Sequence, residues 1–291
     1  MRAVVRAQAK LNLFLHVLAR EESGYHAIET LFHRIDLCDD VEVTLAPPGE
    51  RTLECDVDFG APWQNLAFRA AERVCAAAES DTGFRITLRK RIPAGAGLGG
   101  GSADAGAVAR AMAKLLGATT SGERLIHPVA QLGADIPFMA SDAVMALAWG
   151  RGERMLALPP LPRRHVVVLM PPFEVATADA YRWLDAAQHS NTIPPRLVSL
   201  PDLMSWESIA PQASNSFTAP VAAHTGAPVI LRALGVLRES GARIAMMSGS
   251  GSALFGIFDS EPDAAALGRE TACRAIATQT AAAVEAVTVS E

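Results

Sequence analysis

The chain has 291 residues, of which 50% are hydrophobic and 20% are charged, a balance typical of globular proteins. Its net charge of −5 argues against a large nucleic-acid-binding surface, and because no run of about 18 apolar residues occurs we expect no membrane span. The N-terminus lacks the apolar segment of a secretory signal, and the four scattered cysteines have no disulfide or zinc spacing, so we expect a cytoplasmic protein.

The elements predicted in the first half are strands around two Ala-rich helices. Apolar or alternating runs predict strands at Leu11–Val17, Val41–Leu45 and Phe84–Leu88. The first Ala-rich helix is predicted over Asn65–Ala78. The second is predicted from Ser102, whose side chain is a favourable N-cap, to about Leu116, with Gly117 as its stop.

A proline-rich stretch at residues 158–162 is the predicted domain boundary, which divides the chain into residues 1–158 and 159–291. Weak periodicity with many Pro and Ser over residues 188–225 predicts loops and short helices. The other elements predicted in the second half are a strand at His165–Met170, helices from about Thr177, at Val229–Glu239 and at Pro262–Ala275, and strands at Arg243–Met247, Ala253–Phe258 and Val284–Val289. Strand and helix runs are mixed in both halves, which predicts an α+β fold.

The strongest local signal is the glycine-rich segment Pro93-Ala94-Gly95-Ala96-Gly97-Leu98-Gly99-Gly100-Gly101-Ser102, which lies between a predicted strand and a predicted helix. Glycines adopt positive φ at no steric cost and let an anion approach the backbone closely. The helix that follows contributes the partial positive charge of its N-terminus. The segment therefore predicts a phosphate-binding loop, although a tight turn without a ligand stays open.

Three other interpretations of the glycines fit less well. A Walker A loop needs a Gly-Lys dipeptide, which the chain lacks. Gly95-x-Gly97-x-x-Gly100 matches the dinucleotide fingerprint, but Arg89-Lys90-Arg91 and Pro93 separate it from the preceding strand. Glu123, the acid at the right distance for that fingerprint, does not end a predicted strand. Asp58-Phe59-Gly60 precedes the loop, which is the wrong order for a protein kinase.

Two further segments form an ordered set with this loop. Ala9-Lys10-Leu11-Asn12-Leu13 precedes the loop, and Ser248-Gly249-Ser250-Gly251-Ser252-Ala253-Leu254-Phe255 follows it. In this order the three segments resemble the three motifs of the GHMP kinases, and they span nearly the whole chain. The resemblance implies a two-domain α+β fold with a ribosomal protein S5 domain 2-like N-terminal half and a ferredoxin-like C-terminal half. It also implies ATP as co-substrate, with Mg²⁺.

The N-terminal run narrows the resemblance within that family. The segments Ala9–Val17, Gly24–His26, Glu29–Phe32 and Gly133–Phe138 resemble those of GHMP kinases that act on a cytidine diphosphate-linked methylerythritol. The resemblance implies phosphorylation of its 2-hydroxyl in non-mevalonate isoprenoid biosynthesis. The partner would then be this small molecule, with no nucleic acid or membrane, and the protein would be a monomer or homodimer. Another small-molecule kinase of the family, and a nucleotide-binding paralogue without catalysis, stay open as alternatives.

The resemblance also implies roles for individual residues. Asp135 would be the catalytic base and Lys10 its ammonium partner, although the spacing of Asp135 from Pro137 is by itself more typical of a capping or turn aspartate. The implied ATP contacts are Pro93, Gly95, Gly97, Leu98, Gly99, Gly100, Gly101, Ser102, Asn65, Lys90 and Gly249, with Ser102 also the contact for Mg²⁺. The implied substrate contacts are Asn12, His16, Tyr25, His26, Phe32 and Tyr181.

Some of these residues have an ordinary structural interpretation as well. Lys90 could be one charge of a solvated Arg-Lys-Arg run, and Tyr181 could be a core ring on its helix. The chain also departs from the family, because Asn215-Ser216-Phe217-Thr218 stands where an Asn-Asp pair with a following acid is usual. The departure puts in question the bonds of those acids, and it leaves Lys10 and Asp135 unaffected.

Overall fold

The computed structural model describes residues 1–117, 127–187 and 198–291, and in these ranges the strands form two sheets. The strands are β1 (Arg2–Arg20), β2 (His26–Ala46), β3 (Arg51–Cys55), β4 (Gly83–Arg89), β5 (Met145–Gly150), β6 (Arg154–Leu158), β7 (His165–Met170), β8 (Ile244–Met247), β9 (Leu254–Phe258), β10 (Arg274–Gln279) and β11 (Thr288–Ser290). The helices are α1 (Leu66–Ala77), α2 (Gly100–Leu115), α3 (Ile136–Ala140), α4 (Thr177–Ala187), α5 (Trp206–Ile209), α6 (Thr218–Val221), α7 (Ala227–Glu239) and α8 (Ala264–Thr271). The predicted α+β class is confirmed.

The larger sheet has the order β11-β1-β2-β4-β3, and β5 pairs with both β2 and β6. The long antiparallel pair β1–β2 runs from Arg2 opposite Thr44 to Arg20 opposite His26. Helix α2 packs on β1 and β2, with α1 beside it. The smaller sheet is antiparallel throughout, in the order β10-β7-β9-β8. Among the described helices, none combines the length and the apolar run that a bilayer crossing needs.

Strand β1 joins the two halves of the molecule. At its start, alternate residues Ala3, Val5 and Ala7 are buried, as in a sheet with one solvated face. From residue 8 to residue 17 every residue is buried, because chain from the second half covers the other face. The amide of Leu15 donates to Ser214 O at 2.8 Å, and the amide of Ser216 donates to Leu15 O at 2.9 Å.

The two predicted Ala-rich helices are present with small shifts. Asn65 caps α1, and its side chain accepts a hydrogen bond from the amide of Ala67 at 2.9 Å. Helix α2 begins two residues before Ser102, at Gly100, so the predicted Ser102 cap is wrong. Its cap is Gly99, whose φ of +73° lies in the left-handed region that favours glycine.

Other predicted boundaries need correction. The helix predicted to reach Ala275 ends at Thr271, and the chain then turns into β10, which pairs with β7. The predicted terminal strand is shortened to Thr288–Ser290, which pairs with Arg2–Val4. Strands β3, β5 and β10 were not predicted. Residues 188–197 of the predicted loop region, and Glu123, lie outside the described residues, and the domain boundary at residue 158 stays a prediction.

Candidate active site

A cavity of about 1820 Å³ lies where the glycine-rich loop, β1, the residues before α3 and the start of α4 meet. Its lining includes these sequence-predicted residues: Lys10, Asn12, Tyr25, His26, Phe32, Asn65, Lys90, Pro93, Gly95, Gly97, Gly99, Gly100, Gly101, Ser102, Asp135, Tyr181 and Gly249. Two predicted residues, His16 and Leu98, are not part of this lining. The structure therefore brings residues from all three sequence motifs to one cavity.

The glycine-rich loop packs directly against the third motif. Gly97 has a φ of +76°, and a Cβ built on it would lie 2.1 Å from Ser248 O. Ser248 Oγ donates to Gly97 O at 2.9 Å. A Cβ on Gly249 would in turn lie 3.0 Å from Gly97 O. The two loops approach so closely that glycine is required at this crossing.

Substitution of Gly97 by alanine is expected to destabilise the fold, because the new methyl group meets a backbone carbonyl that cannot move independently. Gly95→Ala is the matched control, since Gly95 also has positive φ, +63°, but has open space around its Cβ position. We expect the control to lose about 1–3 kcal/mol from backbone strain alone and Gly97→Ala to lose clearly more. Urea unfolding of both variants measures the difference, and equal losses would contradict the predicted clash.

The N-terminus of α2 presents free amide groups to the cavity. The first helical hydrogen bond to Gly99 O comes from the amide of Ala103 at 2.8 Å, so the amides of residues 100–102 precede the helical ladder. Within the described residues, no side chain caps this end of the helix. Ser102 lies in the first turn, and within the described residues its hydroxyl makes no hydrogen bond to protein. These donors, with the helix dipole, form an arrangement that binds phosphate.

Lys10 and Asp135 meet at the other side of this helix terminus. The ammonium nitrogen of Lys10 lies 3.4 Å from Asp135 Oδ2, and the side chains are 4% and 28% exposed respectively. Lys10 Nζ also lies 5.5 Å from the centroid of the Phe32 ring. Asp135 occupies the N-cap position of α3, but its side chain makes no cap hydrogen bond. The carboxylate therefore does not serve as the helix cap and faces the cavity beside the ammonium.

Asn12 ties the ammonium to the third motif. Its Oδ1 accepts from Lys10 Nζ at 2.7 Å and from the amide of Gly249 at 2.9 Å. Its Nδ2 donates to Thr30 Oγ1 at 2.8 Å, and that hydroxyl donates to Phe14 O. Every polar atom of the buried Asn12 amide is thus used structurally. These contacts indicate that Asn12 fixes the position of Lys10 relative to the turn at Gly249.

Arg34 holds the segment that carries Asp135. The fully buried guanidinium donates through Nη2 to the carbonyl oxygens of Phe138, Met139 and Ser141 at 2.7, 3.1 and 3.0 Å. Its Nε donates to Ala143 O at 2.9 Å. A five-residue helix such as α3 cannot satisfy its last carbonyls by itself. Arg34 satisfies two of them, those of Phe138 and Met139. The sequence analysis did not identify Arg34 because no local pattern connects it with α3.

The aromatic residues form the far end of the cavity. The rings of His26 and Tyr181 stack with centroids 4.6 Å apart, and Phe217 meets the Tyr181 ring edge-on at 4.8 Å. Burial, and then the negative charge of Asp135, raise the pKa of Tyr181. Tyr25 is 60% exposed, with the Arg151 guanidinium 4.0 Å from its ring centroid. One face of Tyr25 is thus covered by a cation.

Lys90 belongs to a buried ion cluster rather than to a solvated basic run. Its ammonium contacts Asp39 and Asp104, and all three side chains are buried. Burial lowers the pKa of Lys90, but the two carboxylates outweigh it and the net direction is upward. Burial, opposed by Lys90 and reinforced by Asp39, raises the pKa of Asp104 to about 7. Asp39 Oδ1 also accepts from the amides of Arg91 and Ile92, which anchors the start of the glycine-rich loop.

Asp104→Asn is expected to raise stability at pH 8 by at least about 1 kcal/mol relative to the wild type, with little difference at pH 4, close to the unfolded pKa of an aspartate. The pKa of Asp104 is about 7 in the folded protein, above its value in the unfolded chain. The contribution of Asp104 to wild-type stability therefore falls as the pH rises from the unfolded to the folded pKa, and it stays low at higher pH. Asparagine resembles the protonated acid and removes this loss. Urea unfolding at the two pH values checks it, with the exposed Asp81→Asn as control; destabilisation at pH 8 would contradict it.

Two residues predicted from the sequence have contacts outside the cavity. His16 Nε2 lies 2.8 Å from Ser214 Oγ, its Nδ1 lies 3.6 Å from Glu29 Oε2, and the ring stacks on Phe14. Its predicted substrate contact stays a prediction. Leu98 has a buried side chain, and its carbonyl accepts from the amide of Lys10 at 3.0 Å. Leu98 therefore contributes to the site through its backbone.

The segment that lacks the usual acids is held by uncharged groups. Asn215 Nδ2 donates to Met247 O at 2.7 Å and to Gly249 O at 2.8 Å. Ser216 Oγ accepts from the amide of Val17 at 3.1 Å. An amide and a hydroxyl thus connect this segment to the third motif and to β1.

Two family models and several named relatives match this chain. Residues 65–147 match the GHMP kinases N terminal domain, and residues 202–275 match the GHMP kinases C terminal family. A 4-diphosphocytidyl-2-C-methyl-D-erythritol kinase of Salinibacter ruber is 37% identical over 262 residues, which covers 87% of this chain and 89% of the relative. A protein of the same name from Citrifermentans bemidjiense is 38% identical over 257 residues, covering 88% and 89% of the two chains.

Solved structures show the same likeness. A crystal structure of 4-(cytidine 5'-diphospho)-2C-methyl-D-erythritol kinase superposes with a TM-score of 0.74 at 35% identity, covering 95% of this chain and 98% of that one. A homoserine kinase from Cytophaga hutchinsonii superposes with a TM-score of 0.72 at 17% identity, over 98% and 96% of the chains. The second likeness concerns the fold alone.

Proposed function

The chain belongs to the GHMP kinases, and we propose that it transfers the γ-phosphate of ATP to the 2-hydroxyl of 4-diphosphocytidyl-2-C-methyl-D-erythritol, giving the 2-phosphate and ADP. Its relatives at 37% and 38% identity are named as kinases of this compound. The observation that carries the proposal is the Lys10–Asp135 pair at 3.4 Å, in the same cavity as the free amides of α2.

The γ-phosphoryl group would be held by the glycine-rich loop and the N-terminus of α2. The substrate hydroxyl oxygen then forms a bond to the γ-phosphorus as the bond to the β–γ bridging oxygen breaks, and ADP leaves. Asp135 accepts the hydroxyl proton as this happens. Lys10 lies beside it and stabilises the negative charge that develops on the acceptor oxygen and the transferred group. Asn12 and the Phe32 ring keep the ammonium in place.

Ser102 fits a role as a contact for Mg²⁺. Its hydroxyl is unused by the described residues and lies in the first turn of α2. In the described part of the chain no three His, Cys, Asp or Glu side chains cluster as a metal cage, which agrees with the preference of Mg²⁺ for water and substrate phosphate oxygens. When bound, the ion would neutralise charge on the phosphates.

The cytidine would occupy the aromatic end of the cavity. Tyr25 and Tyr181 offer ring faces for stacking, and the His26 ring is packed against Tyr181. Asn65, Lys90 and Gly249 line the cavity and are assigned to the ATP side with the glycine-rich loop. A cytoplasmic location and a monomeric or homodimeric state stay predictions.

The test is to incubate the purified protein with Mg-ATP and, in parallel, with the cytidylyl substrate, mevalonate and homoserine. Product formation is followed by ³¹P NMR, which also locates the new phosphate. We expect one new phosphomonoester on the methylerythritol unit and none on the other alcohols. Turnover of mevalonate or homoserine instead would assign the chain to another GHMP kinase activity, and absence of any transfer would favour a non-catalytic paralogue.

A further inference from the structure

Asp185, which the sequence analysis did not identify, fixes the orientation of His26. His26 Nε2 lies 2.6 Å from Asp185 Oδ1, and Asp185 Oδ2 lies 3.6 Å from Nη1 of Arg20. Asp185 follows Tyr181 by four residues on α4, so both side chains project from the same face of that helix. The carboxylate therefore contacts the imidazole at its edge, and the Tyr181 ring packs against its face.

The contact also determines which ring nitrogen carries the proton. A carboxylate only accepts hydrogen bonds, so Nε2 of His26 must be the protonated nitrogen that donates to it. In the neutral imidazole the lone pair then lies on Nδ1. Within the described residues, Nδ1 makes no hydrogen bond to the protein, and His26 lines the cavity. The ring thus presents a hydrogen-bond acceptor with a fixed direction to a ligand.

We propose that Asp185 determines the base specificity of the kinase by positioning His26 so that Nδ1 accepts a hydrogen bond from the 4-amino group of cytosine. Uracil carries a carbonyl oxygen at that place, and two acceptors facing each other cannot form a hydrogen bond. A site with a buried acceptor rejects a ligand that leaves it unpaired. The inference deepens the proposed function and rests on it for the identity of the nucleotide. Asp185 acts through His26 and is a positioning residue.

The test compares kcat/KM for the cytidylyl substrate and its uridylyl analogue in the wild type and in Asp185→Asn. An asparagine amide can donate to Nε2 as well as accept from it, so the tautomer is no longer fixed. We expect the preference for cytidine to fall by about tenfold or more, through KM rather than kcat. The matched control is Asp179→Asn in the first turn of the same helix, whose carboxylate pairs with Arg182 and not with His26. An unchanged preference in a folded Asp185→Asn variant overturns the proposal.

Two measurements do not depend on turnover or on the variant. ¹⁵N NMR of the wild-type His26 ring must place the proton on Nε2, and a proton only on Nδ1 overturns the assignment. Calorimetry with CDP and UDP must show tighter binding of CDP, and equal affinities also overturn it. If the wild type phosphorylates neither nucleotide-linked alcohol, the proposed function fails, but these two measurements still decide whether the pocket distinguishes the bases.

Discussion

Replacement of Asp135 by asparagine is expected to lower kcat by about 10²–10⁴-fold, the usual contribution of a positioned general base. Asparagine keeps the shape of the side chain but cannot accept the proton of the substrate hydroxyl. Because the carboxylate makes no cap hydrogen bond to α3, the substitution should leave that helix intact, and the loss of unfolding free energy should be limited to that of the charged partner of the buried Lys10 ammonium. Affinity for ATP should survive as well, since the nucleotide is held by the glycine-rich loop.

The measurements are kcat by a coupled ADP assay and the Kd for ATP by calorimetry, on the same preparation. Asp81→Asn serves as the matched control, because Asp81 is exposed and does not line the cavity. Undiminished turnover in Asp135→Asn would remove Asp135 from the mechanism. Loss of ATP binding together with turnover would show instead that the residue supports the nucleotide site.

Substitution of Lys10 by methionine is expected to reduce kcat by about 10²–10³-fold, the range found when one preorganised charge-stabilising donor is removed. Methionine has nearly the length of the lysine side chain, so it fills the buried space that Lys10 occupies beside Phe32. Asn12 Oδ1 keeps its hydrogen bond from the amide of Gly249, which limits the structural damage. Kinetics at saturating ATP and substrate measure the loss.

Lys114→Met is the control for this variant, because Lys114 is an exposed lysine outside the cavity lining. Lys10→Arg should not restore activity, since the planar guanidinium does not fit the place of a compact ammonium with 4% exposure. In a Lys10→Met and Asp135→Asn double variant, the losses should be less than additive because the two groups act on one step. Fully additive losses would contradict a shared role.

The parts of the fold that the sequence predicts well are those determined locally. Helix α1 is predicted from its Ala-rich run, and β7 from one apolar run between prolines. The missed strands depend on partners elsewhere in the chain. β3 is an exposed or half-buried parallel neighbour of β4. The helix predicted over Pro262–Ala275 covered only the first two residues of β10, which pairs with β7, and no strand was predicted for the rest.

The candidate site likewise contains some residues that the sequence identifies and others that only the structure reveals. Motifs with a backbone requirement, such as Gly97 and Gly99, are visible in the sequence because only glycine suits their φ. Lys10 and Asp135 were connected through the family resemblance, since nothing in either segment indicates the other. Asp185 and Arg34 act on residues more than a hundred positions away. Such contacts leave no local pattern, so the structure was needed to find them.

The attachment of α3 to Arg34 has a consequence for the order of folding. A helix of five residues is not stable alone, because the free energy needed to nucleate it exceeds what the hydrogen bonds of one turn contribute. Its terminal carbonyls gain their donor only when β2, 104 residues earlier, is already in place. Closing so long a loop is a slow, late event. We therefore expect the catalytic carboxylate to reach its position after the central strands have assembled, so that competence for chemistry appears later than secondary structure during refolding.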